Sequence, residues 1–174
     1  MNFPFFESLT IQEAQEHLQY FLDTESAAAA SMIPDAERLG LAMNFSLDTL
    51  PSILKWIVRD IQITRVPVPD TEPEWVRSFH EKGLIEFTEQ SKYLTPRAAY
   101  YLGECFVKAD SKLHWTIGNQ DYIQSNMPVV AGFRFGKEMA TEMVCENLFR
   151  RIRGYDGPES DIDIMVEKWI SMMA

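Results

Sequence analysis

The spacing of apolar residues changes character only in the middle of this chain. Elsewhere they recur at three- and four-residue steps, but in Lys112–Gly118 and Pro128–Phe135 they alternate with polar or small residues. Helical spacing gathers one stripe of side chains onto a core, and strict alternation gathers one face of a strand. The pattern therefore predicts an α+β fold, mostly helical, with a small antiparallel β-sheet near residues 111–136. Strands do not alternate regularly with helices, which excludes a doubly wound parallel sheet.

The helices can be placed from their caps. Thr10-Ile11-Gln12-Glu13 has capping-box form, a hydroxyl followed three residues later by a carboxylate. Ile11, Ala14, Leu18, Phe21 and Leu22 follow at helical spacing, which predicts a helix over about 11–30, with Pro34 and Gly40 marking its exit. Asn44–Asp48 offers caps for a second helix. Its buried face is Ile53, Leu54, Ile57, Val58 and Ile61, and Pro51 fits its first turn. Pro67, Pro69 and Pro73 make 62–73 a linker. A short third helix holds Trp75, Val76 and Phe79 and stops at Gly83, and 84–94 shows no clear period.

Thr95-Pro96 reads as a cap followed by proline at the first helical position, opening a fourth helix over about 96–108. Ala140, Met143, Val144, Leu148 and Ile152 mark a fifth, ended by Gly154. Ser160 caps the last, whose stripe is Ile162, Met165, Val166, Trp169 and Met173. With 174 residues, the chain reads as a single α+β domain over 1–174. It comprises an acidic helical part (1–66), the linker (62–73) and an α+β part (74–174).

Gly103 stands inside the fourth helix, where a glycine costs about 1 kcal/mol relative to alanine. Something needs the missing side chain: a second helix, the strand carrying Trp115, or a ligand lying against the backbone.

Charge is unevenly placed. The chain has 26 acidic and 16 basic side chains, a net charge of −10. Residues 1–90 carry 15 acids and 6 bases, a net of −9, and residues 91–174 carry 11 and 10. Such a balance repels phosphate backbones and argues against nucleic acid. Eight carboxylates precede Leu54 against one cation, Arg38. The surplus reads either as a solvated, solubilising surface or as an electronegative face for a basic protein partner, and its concentration in one half favours weighing the second.

The motifs of common chemistries are missing. Gly132-x-x-x-Gly136 lacks the lysine of a phosphate loop, and there is no Gly-x-Ser-x-Gly elbow. His17, His80 and His114 are far apart and form no ligand pair. Cys105 and Cys145 lie in apolar helical patterns and read as reduced core residues. Glu142 and Glu146 beside Cys145 disfavour its thiolate. Glu104 fits an i, i+4 pair with Lys108. Asp161 and Asp163 open one helix, and Arg150, Arg151 and Arg153 close another, as helix dipoles favour. No catalytic residue, metal ligand or cofactor is expected. Met1–Glu7 lacks the basic and apolar regions of a signal peptide, and no apolar run spans a bilayer, so the expected location is cytoplasmic, with no membrane partner.

Tyr100-Tyr101-Leu102-Gly103-Glu104, then Trp115, then Pro128-Val129-Val130 resembles a group of small uncharacterised bacterial α+β domains. In these a Leu-Gly-Glu helix precedes a Trp-bearing strand and a Pro-Val strand. Phe45–Leu50 resembles their helix-opening segment, and the likeness spans roughly 44–150. It implies an immunity-like protein standing beside a secreted toxin, and it implies no active site.

The residues and the resemblance together point to a non-enzymatic binding protein. Its expected role is that of an immunity or inhibitor protein neutralising a basic toxin domain. Glu13, Glu16, Asp23 and Glu25 are the expected partner-binding residues. Two alternatives stand beside it. One is a structural or oligomerisation module, with the methionine-rich last stripe packed on a twin subunit. The other is a small-molecule enzyme with a cleft near His114, using Glu104 and Arg134.

Overall fold

A helix of 21 residues, α5 (Glu89–Ala109), is buried along most of its length and around most of its circumference. Ala98, Ala99, Tyr101, Leu102, Cys105 and Phe106 are all inaccessible to solvent. A helix apolar on most sides belongs inside a core. Around it pack α2 (Ile11–Arg38), α3 (Leu50–Asp60) and α6 (Thr141–Gly154). Two antiparallel pairs complete the shell: β1 (Ile63–Val66) with β2 (Leu84–Phe87), and β3 (His114–Ile117) with β4 (Pro128–Ala131). The last helix, α7 (Ser160–Ile170), closes over α3 and α6, while α1 (Pro4–Glu7) and α4 (Glu74–Phe79) are short. The structure, a computed structural model, describes residues 4–79 and 81–173, so His80 lies outside the described residues. The chain is mostly helical α+β.

The expected hairpin forms, with His114 opposite Ala131 and Ile117 opposite Pro128. Its long loop is closed by Gly118 N–H donating to Met127 O at 2.8 Å and Asn126 N–H donating to Gly118 O at 3.1 Å. The alternation of Phe133 and Phe135 does not continue the strand. Phe133 turns into the core, whereas Phe135 is 92% exposed in a 3-10 turn (Arg134–Gly136) with φ 61°.

Three boundaries differ from those predicted. First, α2 runs through Pro34 to Arg38. Pro34 and Ala30, whose carbonyl loses its helical donor, are both exposed, so water can replace that bond. The helix ends instead at Gly40 (φ 72°), with Gly40 N–H donating to Glu37 O and Leu41 N–H to Ala36 O, a Schellman motif. Second, α5 starts at Glu89, about two turns before Pro96. Thr88 is its cap, its hydroxyl accepting from Ser91 N–H, and Ser91 Oγ accepts from Gln62 N–H at 2.7 Å. Third, the linker over 62–73 contains strand β1. Its prolines all follow Val66, and its four residues, Ile63-Thr64-Arg65-Val66, show no alternation. The second small sheet arises there.

Cations fasten the far end of the molecule. Arg150 donates to Glu146 and to the Ile85 carbonyl of β2. Arg153 Nε donates to Ile61 O at 2.9 Å, and Arg65 Nη2 to Gly154 O at 2.6 Å. Lys55 bonds both Asp163 oxygens at 2.7 Å, Arg59 meets Glu159 at 3.0 Å, and Arg151 faces Asp161 at 2.5 Å. The charges expected to complement helix dipoles thus tie α6 and α7 to α3 and the first hairpin. The α7 stripe packs on the chain's own core, with Ile162 and Val166 buried and Met165, Trp169 and Met173 against them.

Gly103 is explained by the strand carrying Trp115. A Cβ there would stand well inside van der Waals contact of Trp115 Cη2 and Cζ2, and 3.0 Å from Val130 Cγ2. Helix propensity alone would make Gly103→Ala stabilising by about 1 kcal/mol. The overlap predicts the opposite sign, a loss of about 1–3 kcal/mol, read from the midpoint of urea unfolding. A variant as stable as the native chain would show that the ring is free to move.

Candidate functional site

The inward positions of α2 are small or aromatic: Ala14, Phe21, Ala29 and Ala36 are buried. The outward side carries Glu13, Glu16, Asp23, Asp35 and Glu37, all exposed. The one cation on that side, Arg38, is bonded to Asp35. Small inward residues let α2 lie close to α5, which is why its polar face forms one exposed ridge.

Three of the four expected contact carboxylates lie on that ridge. Glu13 serves the helix start: Thr10 N–H donates to its Oε2 at 2.8 Å, and these bonds from Thr10 hold its carboxyl below the usual range. Glu16 accepts from Gln12 Nε2 at 2.9 Å, and Asp23 from Gln19 Nε2 at 2.9 Å. Glu25 is the exception and is half-buried. It falls on the inward side, with Oε2 buried without a hydrogen-bond partner. Burial raises its pKa, against the pull of Arg97. The capping-box register fixes this, because Glu25 stands half a helical turn away from Asp23 and Glu16.

Beside the ridge lies a groove of about 480 Å³ between α2, α5 and β3. Asp23, Ser26 and Ala27 form one wall, and Tyr100, Glu104 and Trp115 the floor and the other wall. The Tyr100 and Trp115 rings are parallel within 4°, with centroids 6.2 Å apart, and Phe21 meets Trp115 edge-on at 5.6 Å. Trp115 Nε1 donates to Glu104 Oε2 at 3.3 Å, while Glu104 Oε1 lies 3.8 Å from Lys108 Nζ. Lys108 is drawn away over the Phe45 ring, at 4.1 Å. The Glu104–Lys108 pair read from the sequence is thus a loose one. Sequence reasoning missed Tyr100 and Ser26 as lining residues. The available signal was Gly103, since a strand lying against a helix must leave a furrow along its edge.

No family model, curated protein or solved structure matches this chain.

The alternative cleft near His114 is not assembled. Trp115 faces Glu104, and His114, the next residue along the strand, points to the opposite side. His114 is exposed, with Nδ1 3.1 Å from Lys112 O, and Arg134 is exposed on the 3-10 turn. His17 is half-buried against Phe6 at 5.1 Å, and burial lowers its pKa. Cys105 and Cys145 are free and buried. Burial pushes the Cys105 thiol up to about 12 and raises Cys145 as well, so neither forms a thiolate near neutral pH. Among the described residues no group of three or more His, Cys, Asp or Glu could hold a metal ion.

Behind the ridge, Glu142 is 8% exposed and faces Glu146 and Glu25. Burial first, then these two carboxylates, push its pKa from 4.5 up to about 7. The folded chain therefore keeps a proton that the unfolded chain has released. The contribution of Glu142 to stability is greatest below the unfolded value and is lost as pH rises through about 7. The urea midpoint is expected to fall between about pH 5.5 and about pH 7.5, and Glu142→Gln is expected to flatten that slope. An equal slope in the variant would assign it to other groups.

Proposed function

We propose that this chain is a non-enzymatic binding protein that docks a basic protein on the outward face of α2, and that it acts as a cytoplasmic immunity protein neutralising a cognate bacterial toxin. The observation that carries this reading is uncompensated charge. Five exposed carboxylates line α2, and the single cation among them is already bonded to Asp35. At the other end Lys55, Arg59, Arg65, Arg150 and Arg153 are all bonded within the chain. A one-signed face of this kind steers a basic partner and raises its association rate by about ten- to a thousandfold.

Two further observations support the reading. The Leu-Gly-Glu step and the Trp strand behind the resemblance to immunity-like domains meet at the groove beside α2. An inhibitor also needs no catalytic constellation, and Glu104 and His114 face apart. The twin-subunit alternative loses its main support, because the α7 stripe is occupied by the chain's own core. No described helix is long and apolar enough to cross a membrane.

The test is recovery of a basic protein from lysate of the native cells, followed by its association kinetics. Association is expected to slow at least tenfold between about 0.15 M and about 1 M salt, where the screening length shrinks from about 8 to about 3 Å. Glu16→Lys with Glu37→Lys is expected to slow it similarly at the lower salt. The recovered protein, expressed alone, should arrest growth, and co-expression of this chain should restore it. Association indifferent to both salt and charge reversal would overturn the docking reading, and a partner harmless to cells would overturn the immunity role.

A further inference from the structure

The groove beside the acidic ridge joins the half-buried Trp115 ring to two carboxylates. Its floor is Trp115, with the parallel Tyr100 ring packed beside it and 8% exposed. Asp23 stands on one wall and Glu104 on the other. The Glu104 side chain is 19% exposed, and the Trp115 indole fixes the direction of its Oε2. Ser26 bonds the Tyr100 side chain, and among the described residues no cation lines the groove.

We propose that this groove takes one arginine side chain of the basic partner, with the guanidinium lying on the aromatic floor and its donors reaching Asp23 and Glu104. The proposal rests on the docking reading and adds the group that the partner presents. The choice of arginine follows from shape. A guanidinium is planar, stacks on aromatic faces and offers forked donors to two carboxylates at once. A lysine ammonium is a compact, strongly hydrated point charge that gains less from a flat floor. Lys108, the nearest cation to Glu104, is held over Phe45 and leaves the Oε2 side to the indole.

The experiment titrates the full chain with the blocked tripeptide acetyl-Gly-Arg-Gly-amide and with its lysine counterpart. The readout is the indole N–H signals of the four tryptophans by NMR. The Trp115 signal is expected to move saturably with the arginine peptide, with a midpoint about tenfold lower than for lysine. Trp75, exposed on α4, is expected to stay still. Asp23→Asn and Glu104→Gln should each weaken the response about tenfold while the Trp56 and Trp169 signals keep their native positions. Glutamine at 104 still accepts from the indole, so a lost response would report charge rather than a displaced ring. A still Trp115, an equal response to lysine, or unchanged binding in both variants would overturn the proposal.

The two readings fail separately. Salt-sensitive capture of a basic protein through Glu16 and Glu37, with Trp115 unmoved by arginine, removes the groove proposal and leaves the docking face. An arginine response with no basic partner recovered leaves a guanidinium site and removes the docking role.

Discussion

Trp115 lying across Gly103 is the contact on which the molecule is organised. It brings the second hairpin down onto α5, and a single methyl group at position 103 would hold it off. Phe21 and Tyr100 complete the cluster, so α2, α5 and β3 meet on one set of rings. Aromatic pairs of this kind contribute about 0.5–1.5 kcal/mol each beyond the area they bury. The same contact leaves the furrow between α2 and α5 that becomes the groove. Fold and candidate site therefore share one cause.

Charge is sorted by a second constraint. The cations of α3, β1 and α6 reach carbonyls and carboxylates on neighbouring elements, among them Ile85 of β2, Gly154 of α6 and the start of α7. A basic side chain engaged in this way cannot also neutralise the α2 ridge. Five exposed carboxylates thus stand along α2, with Arg38 bonded to one of them. Exposed ion pairs add little stability one by one, so the value of this sorting lies in the field it leaves at α2.

Much of this was legible in order along the chain. The capping box at Thr10, the helical stripes of α3, α6 and α7, the hairpin through Trp115 and the anomaly of Gly103 follow from local chemistry. The misplaced boundaries share a reason. Pro34 and Pro96 look like helix ends because proline removes a donor, yet a helix tolerates that loss where water meets the freed carbonyl, as it can at exposed Ala30 and Lys92. Strand β1 was hidden because its four residues are stabilised by their partner, Leu84–Phe87, far along the chain. Of the candidate site, Asp23 and Glu16 were legible as acids of an exposed face. Tyr100 was not, since nothing local distinguishes it from the fully buried Tyr101 beside it.

By itself the sequence determined the helices, the Trp-bearing hairpin, the acidity of the first half and the need for a missing side chain at 103. These are properties of spacing, caps and composition, which act over a few residues. Only the tertiary structure decided which carboxylates face outward. It turned Glu25 inward toward Glu142, and set Asp23 and Glu104 on one groove with Trp115. Those pairings join α2 to α5 and α6, elements distant in sequence, and they depend on how helices rotate against one another when the apolar faces close.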